Sequence, residues 1–105
     1  MKNLYDTQAP LRGETFETLF DRDDIRIVKI VSSDTPEDIV YIQDEDEWAA
    51  LLSGDAVIEL DGKTLRLKAG DTLYIPAQTP HRLLSVAKGS RWLTFHFVAD
   101  KNKFF

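Results

Sequence analysis

The chain has 105 residues, of which 43% are hydrophobic and 10% aromatic, enough for one packed core and no second. It has no cysteine, which excludes a disulfide framework, a thiolate-held metal and a thiol nucleophile. Thirteen Lys and Arg stand against eighteen Asp and Glu, a formal charge of -5, the wrong sign for a surface that neutralises nucleic-acid phosphates.

The first ten residues carry one lysine and no apolar stretch, and no run approaches the roughly 20 residues of a bilayer span. The expectation is a cytoplasmic protein with neither a membrane nor nucleic acid as partner. His81 and His96 are the two histidines, so acid-base or metal chemistry has to use them or the carboxylates.

In chain order, Glu14 to Phe20 is ambiguous. Phe16, Leu19 and Phe20 have helical spacing, yet a hairpin with the next segment is equally open. Asp21 to Asp24 reads as a turn, and Ile25 to Val31, β-branched and alternating, as a strand. Asp44 to Leu52 has the local signals of a helix, with Asp44 as cap, Glu47 completing a capping box and Gly54 as terminator.

From residue 54 the turns are clear. Asp61-Gly62 separates Ala56 to Leu60 from Lys63 to Leu67, a two-residue loop suited to a type I′ hairpin. Thr72 to Ile75 runs into Pro76, and His81 to Val86 and Arg91 to Phe97 form two more strands around Lys88-Gly89-Ser90. This second half predicts a meander of short antiparallel strands.

Across these elements, Glu47-x6-Gly54 is followed after fifteen residues by Gly70-x5-Pro76 and, five positions later, His81. That register resembles the two motifs of the cupin superfamily, G-x5-H-x-H-x(3,4)-E-x6-G and G-x5-P-x-G-x2-H-x3-N, over roughly residues 25 to 98. The resemblance implies a small single-domain microbial cupin spanning residues 1–105: an all-β, double-stranded β-helix or jelly-roll barrel of antiparallel strands. It overrides the helical reading of Asp44 to Leu52. It also implies a homodimer, with residues 1–20 packing across the interface and 25–98 forming the barrel.

In that register Tyr41 and Gln43 stand at the two histidines of the first motif, Gln78 at the inner glycine of the second and Ser85 at its final asparagine. Glu47 and His81 keep the family's ligand type. Tyr41, Gln43, Glu47 and His81 are thus expected to line one polar pocket that binds a small molecule, and Gln43, Glu47 and His81 are the candidate ligands of one divalent metal ion. Imidazole is a far better transition-metal ligand than a glutamine carbonyl, and a phenol must first lose a proton of pKa about 10.

His96 shares a strand face with Trp92 and Thr94, opposite Leu93, Phe95 and Phe97. Taking the apolar face as core turns His96 away from the interior, although near a barrel mouth it can still join the pocket. Trp48 and Trp92 are expected in the core or a dimer interface, Arg82 at the surface, and the acidic neighbours of Glu47 on a solvated loop. Two functions remain open. One is a binding protein with or without a divalent ion; the other is a metal-dependent oxygenase, isomerase or lyase with Tyr41 or His96 as acid or base.

Overall fold

The computed structural model describes residues 1–98. Eight strands follow in order: β1 (Glu14–Arg22), β2 (Ile25–Ser32), β3 (Asp46–Ser53), β4 (Asp55–Leu60), β5 (Lys63–Lys68), β6 (Thr72–Ile75), β7 (His81–Val86) and β8 (Arg91–Phe97). They form a five-stranded sheet, β1-β2-β8-β3-β6, facing a three-stranded sheet, β5-β4-β7, and every pairing between strands is antiparallel. No helix of the described residues is long and apolar enough to cross a membrane.

The ambiguous Glu14 to Phe20 is the hairpin partner of β2, bulged between Thr18 and Phe20. The segment with helical signals is strand β3. Alternation wins there because each neighbour accepts one face: Glu47, Ala49 and Leu51 are buried, while Trp48 between them is exposed. Asp61 and Gly62 have φ of 49° and 80°, and Leu60 pairs with Lys63, as a two-residue primed turn requires.

Leu51, Ala56, Ile58, Leu67, Val86 and Trp92 make the core between the sheets. A fully buried aliphatic or aromatic side chain of this kind contributes roughly 1.5–3 kcal/mol. The apolar face of β8 is therefore not the core face. Trp92 and Thr94 are 5% and 1% exposed and point inward with His96, whereas Leu93, Phe95 and Phe97 lie on the outer face. The assumption that apolar residues mark the interior fails because a cavity, described below, needs polar groups on its wall.

On that outer face the N-terminal segment covers the end of β2 and β8. Arg91 donates to the carbonyls of Leu4 and Thr7, and its guanidinium lies 5.6 Å from the centre of the Tyr5 ring. Lys29, 2% exposed, is held by Glu17 at 2.9 Å and by the Asn3 carbonyl at 3.3 Å. A buried ammonium without such partners would be strongly destabilising.

Gly54 and Gly70, both glycines of the motif register, have φ of +90° and +94° but different surroundings. A Cβ at Gly54 would meet the side chain of Ser90 and approach its Cα to 2.8 Å, whereas nothing stands within 4 Å at Gly70. Gly70→Ala should cost about 1–2 kcal/mol from left-handed backbone strain alone. Gly54→Ala adds a clash and should cost clearly more by urea denaturation; equal losses would show that the approach of Ser90 does not matter.

Candidate functional site

The two sheets enclose a cavity of about 320 Å³. Its walls come from both: Phe16, Val28, Ile30, Ala49, Ile58, Leu73, Ile75, Leu83 and Trp92 supply an apolar surface, and a polar cluster occupies one region. Tyr41, Gln43, Glu47, His81 and His96 all line it.

Register explains the cluster. On β8, His96 lies opposite Arg26 of β2 and Glu47 of β3, so these three side chains form one polar rung across the sheet. The next inward rungs are Val28, Thr94 and Ala49, then Ile30, Trp92 and Leu51. Tyr41 and Gln43 arrive on a segment that is not a strand. A single bridge, Tyr41 N to His81 O at 2.8 Å and His81 N to Tyr41 O at 3.0 Å, attaches it to β7. The Tyr41 and His81 rings stack, with centroids 5.9 Å apart.

Gln43 Nε2 donates to Glu47 Oε1 at 3.1 Å. His81 Nδ1 lies 3.0 Å from the Thr79 carbonyl, which only accepts, so Nδ1 is the donor of that contact and Nε2 is the nitrogen left toward the cavity. Thr94 Oγ1 donates to the Val28 carbonyl at 3.2 Å and lies 3.0 Å from His96 Nε2. His96 Nδ1 faces Glu45 Oε1 at 3.5 Å and Glu47 Oε1 at 3.8 Å, buried and without a hydrogen-bond partner.

Several contributors were not foreseen. The acidic run is a solvated loop only at Asp44, which is exposed; Glu45 and Asp46 are partly buried. Asp44 accepts from Gln78 Nε2 at 2.6 Å, Asp46 accepts from Ala77 N at 2.7 Å, and Glu45 faces His96 and Arg26. The missed signal is the same period of two that joins Tyr41 to Gln43, which continues through Glu45 to Glu47. Gln78, where the family has glycine, keeps the turn at φ +64°. Glu14 carried no signal, since its segment was ambiguous. Arg82 pairs with Glu59 at 3.2 Å and Asp38 at 3.0 Å, and it also contributes to the cavity lining.

Glu14 accepts from Ser32 Oγ at 2.6 Å, and Ser32 in turn accepts from Trp92 Nε1 at 3.1 Å. Burial pushes the Glu14 carboxyl above its ordinary value of 4.5 despite the Ser32 hydroxyl, and the charges of Glu47 and Glu37 push the same way. Tyr41 is also raised, chiefly by burial and further by Glu14 and Glu37, so its phenol stays protonated and serves as a hydrogen-bonding group.

The donor set does not fit a transition metal. His81 has one ring nitrogen anchored on a backbone carbonyl, as metal-ligating histidines usually have. The Gln43 amide, however, occupies one oxygen of the Glu47 carboxylate, a glutamine carbonyl is a poor transition-metal ligand, and Tyr41 resists ionisation. Among the described residues no three His, Asp or Glu side chains are grouped so as to hold a metal ion.

An all-β chain with two facing antiparallel sheets closing on a lined cavity defines the double-stranded β-helix class. The model of the cupin domain family matches residues 37–96, more than half of the sequence, and the chain belongs to that family. A protein of Ralstonia eutropha JMP134 assigned as a mannose-6-phosphate isomerase superposes with a TM-score of 0.83 at 31% identity, over 94% of this chain and 98% of that one. A Streptococcus pyogenes protein of unknown function gives 0.81 at 24% identity, over 95% and 88%. An uncharacterised protein, MJ1618, of Methanocaldococcus jannaschii is 36% identical over 52 residues, 50% of this chain and 34% of that protein. The chain thus spans about a third of the length of that curated relative.

The raised Glu14 carboxyl has a definite sign. The folded state holds this proton to higher pH than the unfolded chain, so its contribution is fully favourable below pH 4.5 and is lost as pH rises through the folded value. Glu14→Gln, which keeps an acceptor for Ser32, should melt at a higher temperature than wild type at pH 7, with the difference vanishing in acid. A variant less stable at every pH would refute the assignment.

Proposed function

We propose that the protein binds a small molecule in the cavity and uses no transition metal there. The observation that carries this reading is the composition of the wall: a continuous apolar surface facing one polar rung. Binding sites for small molecules have this form, with a few polar groups fixing orientation. The hydrogen bond that Gln43 gives to Glu47, and the phenol of Tyr41 kept protonated by burial, argue against the metalloenzyme alternative, whether oxygenase, isomerase or lyase.

A phosphosugar isomerase reading, drawn from the Ralstonia relative, meets an electrostatic objection. The lining carries Glu14, Glu45 and Glu47, and its two arginines, Arg26 and Arg82, already face carboxylates. A phosphate dianion would enter against that field.

The homodimer is likewise a proposal. Phe20, Ile27, Phe95, Trp48 and Tyr74 pair in turn across all five strands, forming one apolar row on the outer face. Phe20, Trp48 and Tyr74 are 45%, 38% and 50% exposed. A second copy laid on this row would bury it.

Thermal-shift screening tests the binding reading. Compounds that raise the melting temperature should do so equally in excess chelator, and should lose the effect in Ala49→Leu, which fills the cavity. Stoichiometric metal in protein purified without chelator, together with ligand shifts abolished by chelator, would sink it. For the dimer, sedimentation equilibrium should give twice the chain mass for wild type and the single mass for Trp48→Glu; unchanged mass in the variant would place any interface elsewhere.

A further inference from the structure

One oxygen of Glu14 is tied and the other is not. Trp92 Nε1 can only donate, so Ser32 Oγ accepts from it and gives its own proton to Glu14 Oε2 at 2.6 Å. Glu14 Oε1 takes no hydrogen bond from any described residue. Tyr41 is in a similar condition. Its backbone bridge and its stack on His81 fix the ring, while its hydroxyl has no partner among the described residues.

Both side chains line one recess. A side pocket of about 50 Å³ adjoins the main cavity where β1 meets the segment 36–41, and the two spaces share Glu14, Phe16, Tyr41 and Leu83. Hydrogen bonds hold its Gly13 corner: Gly13 N donates to the Thr35 carbonyl at 2.8 Å, and the Gly13 carbonyl accepts from Ser33 N at 2.9 Å and Ser33 Oγ at 2.8 Å. Glu37 packs against that corner so closely that a Cβ on Gly13 would lie 2.9 Å from its Oε1. Phe16 lines both spaces and is still 57% exposed, an apolar surface that the described residues leave uncovered.

We infer that this recess is a subsite for a hydroxyl group of the bound molecule, which donates to Glu14 Oε1 and accepts from the Tyr41 hydroxyl, its carbon resting on Phe16 and Leu83. The inference rests on the small-molecule reading above and narrows it to an alcohol. A hydroxyl carries one donor and an acceptor on a single atom, which matches one vacant acceptor and one vacant donor. An ammonium only donates and would leave the Tyr41 proton unused; a carboxylate only accepts and would meet the like charges of Glu14 and Glu37. At about 50 Å³ against about 320 Å³, the recess takes a substituent and the main cavity takes the body of the ligand.

The test titrates benzyl alcohol, benzyl methyl ether, benzylamine and benzoate, which share one ring, into the full chain at pH 8 by two-dimensional NMR. The alcohol should bind about tenfold more tightly than the ether, which keeps the acceptor and lacks the donor, and more tightly than the amine or benzoate. In Glu14→Gln the amide oxygen is needed by Ser32 and the nitrogen turns to the recess, so alcohol and ether should bind equally. Tyr41→Phe should weaken both and leave their ratio as in wild type. Nuclear Overhauser contacts from the methylene protons of the alcohol should reach Phe16 and Leu83. Ether, amine or benzoate binding as tightly as the alcohol, or an alcohol preference that survives in Glu14→Gln, would overturn the hydroxyl assignment and leave the small-molecule reading standing. Unchanged affinities in Tyr41→Phe, or methylene contacts to Val28 and Leu73 instead, would overturn it as well. If none of the four binds, the subsite fails, and ligand shifts lost in Ala49→Leu would still uphold the cavity.

Discussion

The register of β8 between β2 and β3 is the constraint on which the rest of the structure depends. Pairing His96 with Arg26 on one side and Glu47 on the other places every second residue of three strands on one interior face. That face grades from a polar rung through Thr94 to the Trp92 rung, which joins the core. A slip of one residue would turn Glu47 and His96 out to solvent and bring Trp48, Phe95 and Ile27 inward. Core and site are thus specified by the same hydrogen-bond ladder.

Burying the polar rung requires partners for its groups, and most are supplied locally. Glu47 is 8% exposed and accepts from Gln43, and Thr94, 1% exposed, bonds to the Val28 carbonyl. Glu14 is joined to the core through Ser32 and Trp92. A satisfied buried network of this kind is rigid, and a gap in it is correspondingly conspicuous. Nδ1 of His96 is that gap.

The strands of the second half were legible in the sequence because turn chemistry marks their ends: Asp61-Gly62, Gly70-Asp71 and Lys88-Gly89 leave little freedom in where each begins. The position of β3 was legible only through the motif spacing, since its local signals favour helix and tertiary pairing overrides them. Tyr41, Gln43, Glu47 and His81 followed from that spacing, and the cavity contains them all. The orientation of β8 was misread on the premise that the more apolar face lies inside. Here Thr94 and His96 sit inside as members of a cavity wall, while Leu93, Phe95 and Phe97 coat the exterior. Glu14 and Glu45 were missed for different reasons: one lies in a segment of ambiguous period, the other in an acidic run that resembles a solvated loop.

The turn that precedes His81 has a mechanical consequence. Gln78 N bonds to the Gln43 carbonyl, Gln78 Nε2 to Asp44, and Ala77 N to Asp46, so the turn is riveted at three points to the segment that delivers Gln43, Glu45 and Glu47. The backbone bridge between Tyr41 and His81 adds a fourth attachment. Two stretches of chain some thirty-five positions apart (residues 41–47 with 77–81) are therefore tied directly to each other by hydrogen bonds, and the placement of His81 relative to Gln43 does not depend on the hydrophobic core alone.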